Sequence, residues 1–285
     1  MYIQEEYKEG NLTFIELRNK ANSSWLKVVP ERGGIITNLG LQGKELLFLN
    51  EATLHDKQKN IRGGIPILFP ISGQLENGEY EWNGTTYKMK NHGFARDLPW
   101  QVKDIKTGSD EASITMKLES NSETLTSYPF QFTLIFKYIL HNNKLTIEQE
   151  YQNHSKEEMP IYAGFHPYFK TTTKQLKIDT DATEYLDYND MEFKKFSKVI
   201  DIDQKESYAL KTKTGAFQFF LDDIGSSINL TYNPDFPYVV LWSEEGKDFV
   251  CVEPWMAKTD ELNRKEELTR ISPNESLQTS IAISI

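Results

Sequence analysis

The sequence predicts an all-β protein, and three observations support this prediction. Hydrophobic residues recur at every second position in many short segments, a spacing typical of strands with one buried face. Short turn sequences rich in Gly and Asn separate these segments. Helical periodicity is weak, and only the charged stretch 259–268 is expected to form a turn or two of helix. Many short strands at short intervals indicate a β-sandwich or barrel.

Four hairpins are predicted, each as two alternating segments joined by a polar turn: 2–7 with 12–17, 80–82 with 86–89, 132–140 with 145–151, and 238–242 with 249–253. Asn83-Gly84 is a favoured two-residue turn, and the asparagines at 142 and 143 tolerate positive φ. The chain is expected to finish on another alternating strand, 277–285. The polar region 171–210 is the least regular part, and long loops are expected there.

The size and organisation of the sequence favour a single domain that spans residues 1–285. The sequence has 285 residues, no internal repeat and no linker rich in Pro, Gly or Ser. Its net charge of −10 repels nucleic-acid phosphates and anionic membranes, so neither is expected as a partner. An acidic chain is compatible with a neutral sugar, whereas a phosphorylated substrate needs a local basic patch.

The expected location is the cytoplasm. Cys251 is the only cysteine, which excludes an intrachain disulfide and is compatible with a reducing compartment. The first residues lack a basic segment followed by an apolar core, so no signal peptide is expected. The sequence contains no run of 18 uncharged apolar residues, so no membrane span is expected.

Two of the five histidines lie in unusual surroundings. His92 and His166 each have a neighbouring glycine and aromatic residues, which permit close ligand approach and a floor for a sugar ring. The other reading is that they are packing histidines at strand ends, and His55, His141 and His154 keep that reading because their surroundings are polar and loop-like.

Glu253 and Arg62 are the other candidates. Glu253 follows Val250-Cys-Val at the end of a predicted strand, where partial burial would raise its pKa toward that of a general base. The alternative is a solvated glutamate with Pro254 ending the strand. Arg62 precedes two glycines and has a guanidinium suited to hydroxyls or phosphate, or it is a surface arginine on a bend.

Other chemistries find less support. The histidines lack zinc-ligand spacing and only one cysteine exists, so no metal site is expected. The Gly-Gly pair after Arg62 lacks the pattern of a nucleotide loop, and no G-x-S-x-G elbow occurs. A pair of carboxylates for glycoside hydrolysis stays open, because acids are plentiful and their separations cannot be read from the sequence.

Taken in order, four motifs resemble the aldose 1-epimerase (galactose mutarotase-like) superfamily. They are residues 62–70 (Arg-Gly-Gly-Ile-Pro-Ile-Leu-Phe-Pro), 91–96 (Asn-His-Gly-Phe-Ala-Arg), 164–169 (Gly-Phe-His-Pro-Tyr-Phe) and 251–255 (Cys-Val-Glu-Pro-Trp). Segments 29–36 and 268–276 resemble the first core strands and the closing turn of that superfamily. The Glu-Pro-Trp form and the short length are most similar to the LacX-like branch, and the resemblance covers nearly the whole chain.

The resemblance implies a single-domain β-supersandwich that opens and recloses a sugar ring without a cofactor. It implies Glu253 as general base, His166 as general acid and His92 as a hydrogen-bond partner of the ring oxygen. Arg62, Arg96 and Trp242 are the expected substrate-binding residues, with Arg96 alternatively structural. The galactose-specific enzymes also hold sugar hydroxyls with an aspartate, for which Asp222 and Asp223 are the candidates here.

Three alternatives stay open beside an aldohexose 1-epimerase. A hexose-6-phosphate 1-epimerase would use Arg62 and Arg96 as a cationic pocket. A non-catalytic sugar-binding or regulatory protein on the same fold is a second, because fold does not determine function. A lyase or glycosidase on a related sandwich is a third. The partner expected is a small-molecule sugar, with the protein a monomer or a homodimer.

Overall fold

A computed structural model describes residues 1–19, 21 and 23–285, and these residues form 26 strands, three short α-helices and one 3-10 helix. The all-β prediction is confirmed. The first sheet is antiparallel, with its strands in chain order: β1 (Tyr2–Glu9), β2 (Leu12–Asn19), β3 (Ser24–Val29), β4 (Ile35–Leu41) and β5 (Lys44–Glu45).

Two larger sheets carry most of the remaining strands. The nine-stranded sheet has the order β19 (Val199–Asp201), β16 (Gln175–Asp179), β21 (Ala216–Leu221), β22 (Ser226–Tyr232), β26 (Ser276–Ser284), β12 (Lys144–Asn153), β11 (Phe132–His141), β10 (Glu111–Glu119), β9 (Gln101–Thr107). The eight-stranded sheet has the order β18 (Glu192–Lys195), β17 (Glu184–Asp187), β20 (Tyr208–Lys211), β23 (Tyr238–Trp242), β24 (Phe249–Trp255), β14 (Gly164–Phe165), β6 (Ile67–Leu68), with β15 (Tyr168–Lys170) also paired to β24.

Short elements complete the described residues. Two strand pairs are β7 (Glu79–Trp82) with β8 (Thr85–Lys88), and β13 (Met159–Ile161) with β25 (Thr269–Ile271). The helices are α1 (Glu51–His55), α2 (Thr124–Ser127), α3 (Glu261–Arg264) and the 3-10 helix Glu76–Gly78. α3 forms one helical turn within 259–268, where a turn or two of helix was expected. Among these described segments, no helix has the length and apolar composition needed to cross a membrane.

The two large sheets pack face to face, which confirms the predicted sandwich. Alternate residues of β11 point into the core, and Phe132, Leu134, Phe136, Tyr138 and Leu140 are each at most 1% exposed. Rings from opposite sheets meet there: Phe136 lies 5.9 Å from Phe165 and Phe169 lies 4.9 Å from Phe219, centroid to centroid. Each such buried side chain contributes about 1.5–3 kcal/mol to folding.

The expectation of long loops over 171–210 was wrong. This region contains five strands, β16 to β20, of three to five residues each. β19 is the edge strand of the nine-stranded sheet and is followed inward by β16, while β18 is the edge strand of the eight-stranded sheet and is followed inward by β17 and β20. Strands this short contain too few alternations for a period of two to be detected in the sequence. In β16, for example, only Leu176 and Ile178 are buried.

Candidate active site

Strand β24 brings Glu253 into a buried position in the middle of the eight-stranded sheet. All seven residues of β24 are buried, and successive side chains point to opposite faces. Val250 and Val252 join the main core, while Phe249 and Cys251 pack with Tyr168 on the other face. Glu253 has the parity of Cys251, so its carboxylate lies on that outer face with only 1% exposed.

Pro254 does not end the strand, so the alternative reading of a solvated glutamate is wrong. β24 continues to Trp255, and Pro254 lies opposite Val239 of β23. Trp255 therefore returns to the face of Glu253, and its indole Nε1–H donates to Glu253 Oε2 at 3.1 Å. The Glu-Pro-Trp order thus places a hydrogen-bond donor two residues beyond the carboxylate.

His166 sits in the link between β14 and β15, which both pair with β24. Gly164 allows this approach, because a Cβ there would lie 2.9 Å from the Pro254 carbonyl oxygen. The imidazole stacks on Tyr168 with centroids 4.6 Å apart and planes at 7°. Its Nδ1 lies 3.5 Å from Glu253 Oε1. The fold therefore turns two residues 87 positions apart into an adjacent carboxylate–imidazole pair.

His92 approaches the pair from a separate loop. Its backbone is left-handed, with φ of 66°, and its ring centroid lies 5.3 Å from that of His166. Nδ1 of His92 makes a short hydrogen bond with the Ser72 carbonyl oxygen. Because a carbonyl can only accept, Nδ1 carries the proton, and the Nε2 of a neutral His92 is left with a lone pair.

Gly93 holds the His92 loop against the core, and its replacement by alanine is expected to be costly. Its φ is +69°, and an added Cβ would lie 2.2 Å from the Phe69 carbonyl oxygen. Gly84→Ala is the matched control, since its φ is +75° but nothing lies within 4 Å of the added Cβ.

Urea unfolding should separate the two costs. The left-handed backbone alone should lower the free energy of unfolding of Gly84→Ala by about 1–2 kcal/mol. Gly93→Ala should lose about 1–3 kcal/mol more through overpacking, with reduced activity because His92 is displaced. Equal losses in the two variants would show that the close approach at Gly93 is unimportant.

Burial dominates the electrostatics of the three central groups. It raises the pKa of Glu253 well above its ordinary value, although the Trp255 hydrogen bond and the Arg96 charge oppose this. Burial, reinforced by the Arg96 charge, lowers the pKa of His92 to about 3. Burial, followed by His92 and Arg96, lowers the pKa of His166 well below its ordinary value. His92 is therefore neutral at neutral pH, and burial favours uncharged forms of the Glu253–His166 pair.

Arg62 and Trp242 form one wall of the same cavity. The Arg62 guanidinium carbon lies 5.3 Å from the centroid of the Trp242 ring, and its Nε lies 3.1 Å from Glu244 Oε2. With His92, His166 and Glu253 they line a cavity of about 840 Å³. Five of the six residues proposed for the site thus meet at one place.

Arg96 is the sixth, and the structure does not place it in the cavity wall. It is 7% exposed, and its Nη2 donates to the Asn91 carbonyl at 3.0 Å and to Asn60 Oδ1 at 3.3 Å. The guanidinium therefore braces the residue before His92 from behind. The structural alternative for Arg96 fits these contacts, in which both hydrogen-bond partners are amide oxygens.

The two candidates for the hydroxyl-binding aspartate lie elsewhere. Asp223 accepts hydrogen bonds from Thr171 and Thr172, and neither it nor Asp222 is among the cavity's lining residues. Nine other polar residues that line the cavity were not identified from the sequence: Gln74, Glu76, Tyr188, Asn189, Lys205, Glu206, Ser207, Thr259 and Asp260. They come from distant segments, as where the Asp260 amide donates to the Gln74 carbonyl at 2.9 Å, and no local pattern marks them.

Comparisons with known proteins bear on the fold and the family of this chain. Residues 14–284 match the family model described as aldose 1-epimerase. The chain is 31% identical to the Slr1438 protein from Synechocystis sp. PCC 6803, whose crystal structure superposes with a TM-score of 0.92 over 98% of this chain and 97% of that one. It is 26% identical to the plasmid-encoded protein LacX of Lactococcus lactis subsp. lactis, covering 95% of this chain and 99% of the relative.

A more distant structure shares the fold. Galactose 1-epimerase from Lactobacillus acidophilus NCFM is 16% identical and superposes with a TM-score of 0.75 over 100% of this chain and 98% of that one. The β-sandwich is therefore of the galactose mutarotase-like type. The family match over residues 14–284 and the similarity to Slr1438 along almost the whole length lead to one conclusion: the chain belongs to the aldose 1-epimerase family.

Proposed function

We propose that this protein is an aldose 1-epimerase that interconverts the α and β anomers of a free hexose. The observation that carries the proposal is the buried pair of Glu253 and His166, with Nδ1 and Oε1 3.5 Å apart at the floor of a cavity. Anomer exchange needs one group that accepts the C1 hydroxyl proton and one that donates to the ring oxygen, and a carboxylate beside an imidazole meets this need.

The mechanism uses one proton shared by the pair. In the reactive form Glu253 is a carboxylate and His166 an imidazolium. Glu253 takes the proton of the C1 hydroxyl while His166 gives a proton to the ring oxygen, and the bond between C1 and the ring oxygen breaks. The open-chain aldehyde rotates about C1–C2, and the reverse transfers close the ring on the other face. Ring opening leaves a neutral carboxylic acid beside a neutral imidazole, the forms that burial favours.

His92 receives a role different from the one implied by resemblance. Its Nδ1–H is already donated to Ser72, and its pKa of about 3 keeps it neutral. Nε2 can therefore accept a hydrogen bond and cannot donate one to the ring oxygen. We assign it to a sugar hydroxyl. Arg62 donates to further hydroxyls. The indole side chains of Trp242 and Trp255 form an aromatic part of the cavity wall.

The charges around the cavity favour an uncharged sugar over a sugar phosphate. Two cationic side chains line it, Arg62 and Lys205, and both already face carboxylates, at 3.1 Å from Glu244 and 3.5 Å from Glu206. Four carboxylates also line it: Glu76, Glu206, Glu253 and Asp260. A phosphate dianion in this cavity would be repelled by the carboxylates, and among the described lining residues it would find no cation that is free of a carboxylate partner.

Exchange NMR on glucose and on glucose 6-phosphate tests the proposal. We expect catalysed exchange between anomers of the free sugar, with a higher kcat/KM than for the phosphate. A clear preference for glucose 6-phosphate would replace the substrate with a hexose 6-phosphate. Sugar binding without faster exchange of either compound would favour a binding or regulatory protein and contradict the proposal.

A further inference from the structure

A third chemically active side chain lies beneath the proposed catalytic pair. Cys251 precedes Glu253 by two residues on β24, so both point to the same face of the sheet. One donor atom each from Cys251, His166 and Glu253 lies within 4.8 Å of the other two. All three residues are buried, at 0%, 5% and 1% exposure. The sequence could not reveal this cluster, because its spacing is made by the pairing of β15 with β24.

His166 Nδ1 points to a ligand in this cluster. It is buried and makes no hydrogen bond, although buried polar atoms are almost always paired. Glu253 Oε1, at 3.5 Å, is close to it but beyond ordinary hydrogen-bond length. A nitrogen of His166, the Cys251 sulfur and a carboxylate oxygen of Glu253 therefore lie together in one buried cluster.

The donor set selects the ligand chemistry. Sulfur, imidazole nitrogen and carboxylate oxygen are the ligands of Zn²⁺, whereas Mg²⁺ and Ca²⁺ require mostly oxygen. Tetrahedral bonds of about 2.0–2.3 Å would hold the donors about 3.3–3.8 Å apart, so a pair at the 4.8 Å limit would have to close by about 1.0–1.5 Å. A thiolate and a carboxylate would balance the charge of the ion, with the thiol proton released to solvent.

We propose that Cys251, His166 and Glu253 form a Zn²⁺-binding site, and that occupation of this site switches the protein off. The ion takes the lone pairs of His166 and Glu253 that proton transfer requires. Because His166 and Glu253 both line the cavity, the ion and a sugar would compete for the same two side chains. Binding of the ion stands on the donor geometry alone, whereas the inhibition rests on the proposed function.

Cobalt(II) spectroscopy on metal-free full-length protein tests the site without reference to activity. We expect one equivalent of Co²⁺ to give a thiolate-to-cobalt charge-transfer band in the near ultraviolet, and Zn²⁺ to displace it. Cys251→Ser should abolish this band and weaken Zn²⁺ binding in calorimetry by at least about 10–100-fold, the usual cost of losing a group that only supports a ligand. Cys251→Ala gives the same test without a buried hydroxyl. His141→Gln, a change at an exposed histidine, controls for surface binding and should keep the band.

Anomer-exchange rates then test the inhibition. In chelator, Cys251→Ser and Cys251→Ala should keep the wild-type rate, and in Zn²⁺ they should need at least about 10–100-fold more metal for half inhibition. A wild-type protein without the charge-transfer band, or unchanged Zn²⁺ affinity in both Cys251 variants, would overturn the site. If the band appears but the protein exchanges no sugar, the metal site stands and the proposed function fails.

Discussion

Glu253→Gln is expected to lower kcat for anomer exchange by about 10²–10⁴-fold. The amide keeps the shape of the side chain and can still accept the hydrogen bond from Trp255, but it cannot take the C1 hydroxyl proton. Polarimetry of freshly dissolved α-anomer measures the effect. Glu76→Gln changes another carboxylate lining the same cavity and should remain close to wild type. Near-full activity of Glu253→Gln would remove Glu253 from the mechanism.

The same variant should not be less stable, which separates lost chemistry from lost folding. Burial raises the pKa of Glu253 in the folded protein, so the unfolded chain ionises first as pH rises, and the contribution of Glu253 to stability falls through its folded pKa. Glutamine has no such dependence. We therefore expect the unfolding free energy of Glu253→Gln, relative to wild type, to increase with pH, as urea titrations at several pH values would show.

His166→Gln is expected to cause a loss of similar size, about 10²–10⁴-fold in kcat, because the ring oxygen then departs without a proton. The double variant with Glu253→Gln should be scarcely worse than either single variant, because a shared proton makes the two groups act as a unit. His154→Gln is the control, as that imidazole pairs with Thr133 outside the cavity. Strictly multiplicative losses in the double variant would contradict a shared proton.

The sequence predicted the long strands of the sandwich better than the short strands at its edges. Period-two alternation in β11 and β12 and the asparagine turn between them are recovered in the structure, with Asn142 at a φ of 52°. Hydrophobic alternation works there because the strands are ten residues long and one face is buried. It failed for β16 to β20, where three to five residues offer too little periodicity.

Some residues of the candidate site could be predicted from the sequence and others could not. Glu253 and His166 carry local signals, a carboxylate after a buried run and a histidine among glycine and aromatics, and both reach the cavity. Arg96 has an equally suggestive motif, yet its guanidinium donates to the Asn91 carbonyl and does not line the cavity. Its direction depends on the path of the backbone after His92, which has a left-handed conformation. Asn189 and Asp260 join the cavity only through pairing between distant segments, which a single sequence does not encode locally.

In the proposed mechanism, the Glu253–His166 pair exchanges the anomers of a sugar. Magnetisation-transfer NMR between the α and β anomeric protons of free hexoses, with wild type and Glu253→Gln at equal concentration, measures this exchange. We expect the exchange rate to rise in proportion to wild-type protein and to stay near the buffer rate with the variant. Exchange at the buffer rate with wild type on every free and phosphorylated hexose, or equal acceleration by the variant, would contradict the claim.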